Sequence, residues 1–138
     1  MITVLYVDAD PKMYPILSKI FEEYSVSVFP ADSGEDALAW LSRQSADVIV
    51  SDYNLPGMSG IQFLHALRSK GISLPFIFFS ESDNPYVKNK VLWEDISGFL
   101  PRKGLEKKPI LNLLRRVYWA SSSHETEYPC IENLKHGN

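Results

Sequence analysis

The side chains best placed for chemistry stand where apolar runs end. Val48-Ile49-Val50-Ser51 leads into Asp52, and Tyr53-Asn54-Leu55-Pro56-Gly57-Met58-Ser59-Gly60 turns directly after it. Ile2-Thr3-Val4-Leu5-Tyr6-Val7 leads into Asp8-Ala9-Asp10, Leu74-Pro75-Phe76-Ile77-Phe78-Phe79 into Ser80, and Gly98-Phe99-Leu100 toward Arg102-Lys103. β-formers ahead of a Pro-Gly turn put Asp52 at the carboxyl end of a buried strand, the edge where open α/β sheets bind ligands. Alone, Asp52 would be equally well explained as the cap of a turn. The second acidic strand end, at Asp8, shifts the balance. Neighbouring carboxylates repel unless a cation lies between them, and oxygen-rich clusters of this kind suit Mg²⁺. With the Ser80 hydroxyl and a cation from Arg102 or Lys103, the set suits phosphoryl transfer. Asp52 would be the nucleophile, and metal and side-chain cation would neutralise charge on the transferred group.

Such a site needs strands that end side by side. Apolar runs at 2–7, 25–29, 47–51, 74–79 and 98–100 read as five strands. Between them Tyr14, Ile16, Leu17, Ile20, Phe21 and Tyr24 recur at helical spacing, with Pro11 and Pro15 confined to the start, where proline is accepted. Ser33 with Asp36 is a capping-box variant that opens a second helix through Ala37, Leu38, Trp40 and Leu41. Ser59-Gly60 opens a third, through Leu67 and ending near Gly71. Asp83-Asn84-Pro85 starts a fourth, and a last helix is predicted from Ile110 to Tyr118. Strands alternating with helices predict an α/β fold, a parallel sheet covered on both faces.

At 138 residues the chain suits one domain, placed at 1–120. Residues 121–138, opening Ser121-Ser122-Ser123-His124-Glu125, are polar and without period, and are expected to be a flexible tail or the start of a linker. A net charge of −3 gives no electrostatic reason to bind nucleic acid or an anionic membrane. The single Cys130 forms no internal disulfide and fits a reducing cytosol; with neither leader nor membrane-length apolar run, a cytoplasmic location is expected. His65, His124 and His136 lack metal-ligand spacing, and Trp40 and Trp93 read as packing residues.

Asp52-Tyr53-Asn54-Leu55-Pro56-Gly57-Met58-Ser59-Gly60, together with Asp8, Ser80 and Gly98-Phe99-Leu100, resembles the receiver domain of two-component response regulators over about residues 2–118. The resemblance implies a doubly wound five-stranded sheet of flavodoxin-like order 2-1-3-4-5. It implies that Asp52 accepts a phosphoryl group from the phosphohistidine of a histidine kinase or phosphotransfer protein. Asp8, Asp52 and the Asn54 carbonyl would hold Mg²⁺, and Ser80 would bond a phosphoryl oxygen. Ser80 and Phe99 would then act as a conformational switch, reshaping the face made by the fourth helix, fifth strand and fifth helix. That face is where partner contact, or a homodimer, is expected. The family pattern belongs to a phosphoacceptor with at most slow self-dephosphorylation, not to a turnover enzyme.

Three positions depart from that pattern. The family carries two adjacent acids after strand one, and here the second is Ala9, which coordinates nothing; Mg²⁺ is expected to bind more weakly for it. Asp10 is expected to cap the first helix instead. At strand five the lysine-proline pair is replaced by Arg102-Lys103, or by Lys103 itself if Pro101 bulges out, and the sequence does not choose between the two registers. A cis bond between Arg102 and Lys103 would cost about 2.5–4 kcal/mol, so trans is expected. Glu81 takes the place of a small residue and would either obstruct attack on an acyl phosphate, compensate for Ala9, or face solvent. These departures support a competing reading, a pseudo-receiver that acts only through protein contacts. A third reading takes Asp8-Ala9-Asp10 for the nucleophile motif of haloacid-dehalogenase-type phosphatases, but Lys12 stands where that motif wants Thr or Val.

Overall fold

The computed structural model describes residues 1–81 and 94–122. Its strands are β1 (Ile2–Val7), β2 (Val26–Ala31), β3 (Val48–Ser51), β4 (Phe76–Ser80) and β5 (Gly98–Pro101). Its described helices are α1 (Met13–Glu22), α2 (Gly34–Leu41), α3 (Gly60–Ser69) and the C-terminal α4 (Lys107–Ser122). The helix expected from Asp83 lies outside the described residues, as does the tail beyond Ser122.

All strand pairs are parallel, in the order β2-β1-β3-β4-β5, as the alternation and the resemblance implied. Successive side chains in a strand point to opposite faces, and here each face has its own core. Val4, Tyr6, Val48, Val50, Ile77 and Phe79 lie under α1 and α4. Leu5, Val7, Ile49, Phe76 and Phe78 lie under α2 and α3. Burying a large apolar side chain contributes roughly 1.5–3 kcal/mol, so a one-residue slip of any central strand would exchange two full cores. That constraint fixes where each strand ends.

Three local outcomes differ from expectation. Ser25 has φ +63 and belongs to the turn after α1; β2 begins at Val26 and runs on through Pro30 to Ala31. Pro30 is tolerated because β2 is an edge strand, where a missing N–H can face outward. Asp10 does not cap α1: the N-cap is Lys12, without a side-chain bond, while Asp10 Oδ1 accepts the Lys12 N–H at 3.0 Å in a turn ahead of the helix. Helix α4 extends the predicted 110–118 at both ends, with Pro109 in its first turn, where its missing N–H costs nothing.

The starts of α2 and α3 read from the sequence are present. The Ser33 hydroxyl accepts the Asp36 N–H at 3.1 Å. Ser59 and Gln62 close a reciprocal capping box at the head of α3, immediately downstream of the Asp52 turn.

Candidate functional site

The carboxyl ends of β1, β3, β4 and β5 deliver Asp8, Asp52, Ser80 and Arg102 to one place. Each ladder continues one bond past the strand: Asp8 N–H donates to Ala31 O at 3.0 Å, Asp52 N–H to Val7 O at 2.9 Å, and Arg102 N–H to Ser80 O at 2.9 Å. The acids therefore start from a backbone as regular as the sheet.

Strand alternation settles the register left open at β5. Phe99 packs with the core under α2 and α3, and Leu100 with the core under α1 and α4. Arg102, two residues beyond Leu100, turns to Leu100's side, where its guanidinium lies 5.6 Å from the Phe79 ring centroid. Lys103 is exposed and makes none of the cluster's bonds. The peptide bond between them is trans, as expected.

Arg102 is buried and bonded at both tips. Nη1 donates to Asp8 Oδ2 at 2.7 Å and to the Tyr6 hydroxyl at 2.8 Å. The Tyr6 hydroxyl in turn donates to Asp8 Oδ2 at 2.6 Å, closing a buried triangle. Nη2 reaches Asp52 Oδ2 at 3.5 Å. Nε has no hydrogen-bond partner; the nearest acid, Glu81 Oε2, stands 3.8 Å away on a largely exposed side chain. The other Asp8 oxygen accepts the Asp10 N–H at 3.0 Å, so both its oxygens are engaged.

Asp52 is held differently. Oδ1 accepts the Tyr53 N–H at 2.7 Å, the Ser80 hydroxyl bonds the carboxylate, and the side chain keeps 15% of its surface exposed. Its turn is closed by Gly60 N–H donating to Tyr53 O at 2.7 Å. Only glycine fits there, since a Cβ would lie 2.6 Å from the Phe78 ring and 2.7 Å from Asp52 O. Asn54, expected to offer its carbonyl to a metal, is exposed on the same turn.

The electrostatics follow from two carboxylates sharing one buried cation. Burial pushes the Asp52 carboxyl above its usual range and Asp8's charge adds to this, against Arg102, Ser80 and the Tyr53 N–H. Burial also disfavours charge on Arg102, but Tyr6, Asp8 and Asp52 outweigh it and hold the guanidinium above its ordinary value. Burial raises Tyr6 far above an ordinary phenol, with Arg102 opposing and Asp8 and Asp52 adding. Tyr6 therefore keeps its proton, donates it to Asp8, and offers Arg102 a lone pair.

The chain matches the response regulator receiver domain family over residues 4–115. It belongs to that family. Among solved structures, the receiver domain of Francisella response regulator 1452 superposes with a TM-score of 0.79 at 29% identity, over 91% of this chain and all of that one. The chemotaxis response regulator CheY4 of Vibrio cholerae gives 0.75 at 28%, over 85% of this chain and 98% of that one. By sequence, the probable transcriptional regulatory protein TcrX of Mycobacterium tuberculosis is 37% identical over 82 residues, 59% of this chain and 35% of TcrX. The response regulator UvrY of Escherichia coli is 27% identical over 121 residues, 86% of this chain and 55% of UvrY. This receiver domain thus spans from about a third to just over half of those relatives. No described helix is long and apolar enough to cross a membrane.

TrrA of Thermotoga maritima, solved in complex with Mg(2+)-BeF, shares the fold at 20% identity and a TM-score of 0.70. The residues of the present site do not fit a divalent ion between the two strand ends as they stand. Asp8 is spent on Arg102, Tyr6 and the Asp10 N–H, Ala9 carries no donor, and the guanidinium lies between Asp8 and Asp52. Among the described residues no three His, Cys, Asp or Glu side chains are grouped to hold a metal.

Tyr6 is the functional-site residue that sequence reasoning passed over, taking it for a strand residue. The signal was there: Tyr6 and Asp8 are two apart on one strand and must share a face.

Proposed function

We propose that this receiver domain takes a phosphoryl group on Asp52 from the phosphohistidine of a histidine kinase or phosphotransfer protein. The observation that supports this most is the pairing of Asp52, partly exposed at the strand edge, with a buried guanidinium and the Ser80 hydroxyl. An Asp52 oxygen attacks phosphorus, the new O–P bond forms as the P–N bond breaks, and the electron pair returns to imidazole nitrogen, which takes a proton. Charge building on the equatorial oxygens meets Ser80 and the unpartnered Nε–H of Arg102. One positive charge is a modest supply for a dianionic group, so transfer is slow. The domain is a phosphoacceptor, with self-dephosphorylation rather than turnover as its own chemistry.

The acceptor is linked to β5 by aromatic rings. Tyr53 lies 5.8 Å from Phe78, and Phe78 lies 6.0 Å from the half-buried Phe99. Movement of Ser80 and Phe99 would pass through that row toward the face that includes β5 and α4. That face is the proposed surface for partners or a homodimer. Glu81, exposed beside Arg102, is positioned to accept or release Nε as the site fills.

Incubation with a small phosphodonor, followed by intact mass, tests the reading. Wild type gains the mass of one phosphoryl group and Asp52→Asn does not. A wild type that never gains it leaves a domain working by protein contacts alone.

A further inference from the structure

We propose that the guanidinium of Arg102 stands in for the divalent cation, so that the resting site of this receiver takes up no Mg²⁺ at millimolar concentrations. The inference concerns the cation of the proposed phosphoacceptor site, but its main test involves no phosphoryl group.

Three observations carry it. Arg102 reaches both carboxylates at once, Asp8 at 2.7 Å and Asp52 at 3.5 Å, from a side chain only 5% exposed. Both Asp8 oxygens are already engaged, Oδ2 by Tyr6 and Arg102 and Oδ1 by the Asp10 N–H, so Asp8 is tied to the guanidinium rather than turned to a metal. Ala9, exposed next to Asp8 in the chain, supplies no side-chain oxygen. Mg²⁺ prefers near-octahedral oxygen geometry and gives up its waters reluctantly. To enter between the two carboxylates it would have to displace an always-charged guanidinium from a buried triangle. Lysine would behave otherwise: a point charge on a flexible stem cannot span two carboxylates as a planar fork does.

The test is a Mg²⁺ titration followed by amide NMR of the Tyr53–Asn54 turn, on wild type and on the double variant Ala9→Asp/Arg102→Lys. That variant restores a second acid at an exposed position and keeps a positive charge in the cluster. Wild type is expected to show no saturable shift at millimolar Mg²⁺, whereas the double variant saturates with at least about tenfold higher affinity, one factor of ten being about 1.4 kcal/mol. Saturable wild-type shifts at millimolar Mg²⁺ overturn the proposal. So does a folded double variant that binds no better than wild type, because Arg102 is then not what keeps the metal out. If the double variant does not fold, Ala9→Asp and Arg102→Lys are titrated singly: a gain in Arg102→Lys supports the proposal, while a gain in Ala9→Asp alone, with the guanidinium still in place, or in neither overturns it. Labelling by the phosphodonor with and without chelator gives a second readout: equal mass gain supports the proposal, and loss in chelator overturns it. Absence of labelling in both arms counts against phosphoryl transfer to Asp52 and leaves the titration to decide about the metal.

Discussion

Arg102 Nη1 lies 2.7 Å from Asp8 Oδ2, joining the ends of β5 and β1 across 94 residues of chain, with both side chains almost fully buried. Each charge has lost its water and depends on the other. Replacing both with apolar groups can be neutral, but removing one from a buried pair costs about 3–5 kcal/mol, and here Asp52 at 3.5 Å and the Tyr6 hydroxyl still compensate Arg102 in part. Asp8→Ala is therefore expected to lower stability by the lower end of that range, about 3 kcal/mol, and Asp8→Asn, which keeps an oxygen for Tyr6 and Arg102, by roughly half. Urea midpoints at unchanged slope measure both. A loss under about 1 kcal/mol for Asp8→Ala would place the pair in solvent rather than in the core.

Tyr6→Phe removes one hydroxyl that both donates to Asp8 and accepts from Arg102. The ring stays in its core, so no cavity forms and the change isolates the two bonds. Net contributions of such bonds, with a charged partner, are about 1.5–3 kcal/mol each, partly recovered as Arg102 and Asp8 close on one another. The expected loss is about 1.5–2 kcal/mol by thermal or urea unfolding. Equal stability of Tyr6→Phe and wild type would show that the phenol is a bystander.

Much of this was legible because a two-sided parallel sheet leaves a strong mark on sequence. Runs such as 48–50 and 76–79 are apolar at every position, and each ends on a polar residue at the site edge. The misreadings came from backbone geometry without a side-chain signature. Ser25 occupies a left-handed turn that glycine would have announced, and Asp10 satisfies an amide two residues on rather than capping α1. Arg102 versus Lys103 was decidable in principle, since alternation from Phe99 puts Arg102 with Leu100. What hid it was the chance of a bulge at Pro101. That a guanidinium would bridge both carboxylates required the distance between strand ends, which no one-dimensional pattern contains.

Gly60→Ala tests how the Asp52 turn is built. The added methyl would meet Asp52 O at 2.7 Å and the Phe78 ring at 2.6 Å, neither of which can swing aside as a flexible side-chain tip would. Overpacking of this kind costs about 1–3 kcal/mol. The strain falls on the peptide that carries Asp52, so phosphodonor labelling should fall by more than the lost folded fraction explains. Unchanged labelling in a destabilised Gly60→Ala protein would separate the turn's geometry from the chemistry.

Asp52→Asn is expected to stabilise the fold at neutral pH. Burial, with Asp8 adding and Arg102, Ser80 and the Tyr53 N–H opposing, raises the Asp52 carboxyl above its ordinary 3.8. The folded protein therefore holds this proton to higher pH than the unfolded chain does. The contribution of Asp52 to wild-type stability drops as pH rises from about 3.8 through the raised value, and the loss is complete above it. Asparagine keeps the shape without the charge, and Arg102 retains Asp8 as its partner. The variant should thus exceed wild type by about 0.5–2 kcal/mol at neutral pH, the usual size of a single stabilising substitution. The advantage should shrink as pH falls toward 3.8. Urea unfolding of both proteins across the acid range measures the gap. A gap that does not change with pH, or a wild type that is the more stable at neutral pH, would mean that Arg102 compensates Asp52 fully and that Asp52 is held at no cost to the fold.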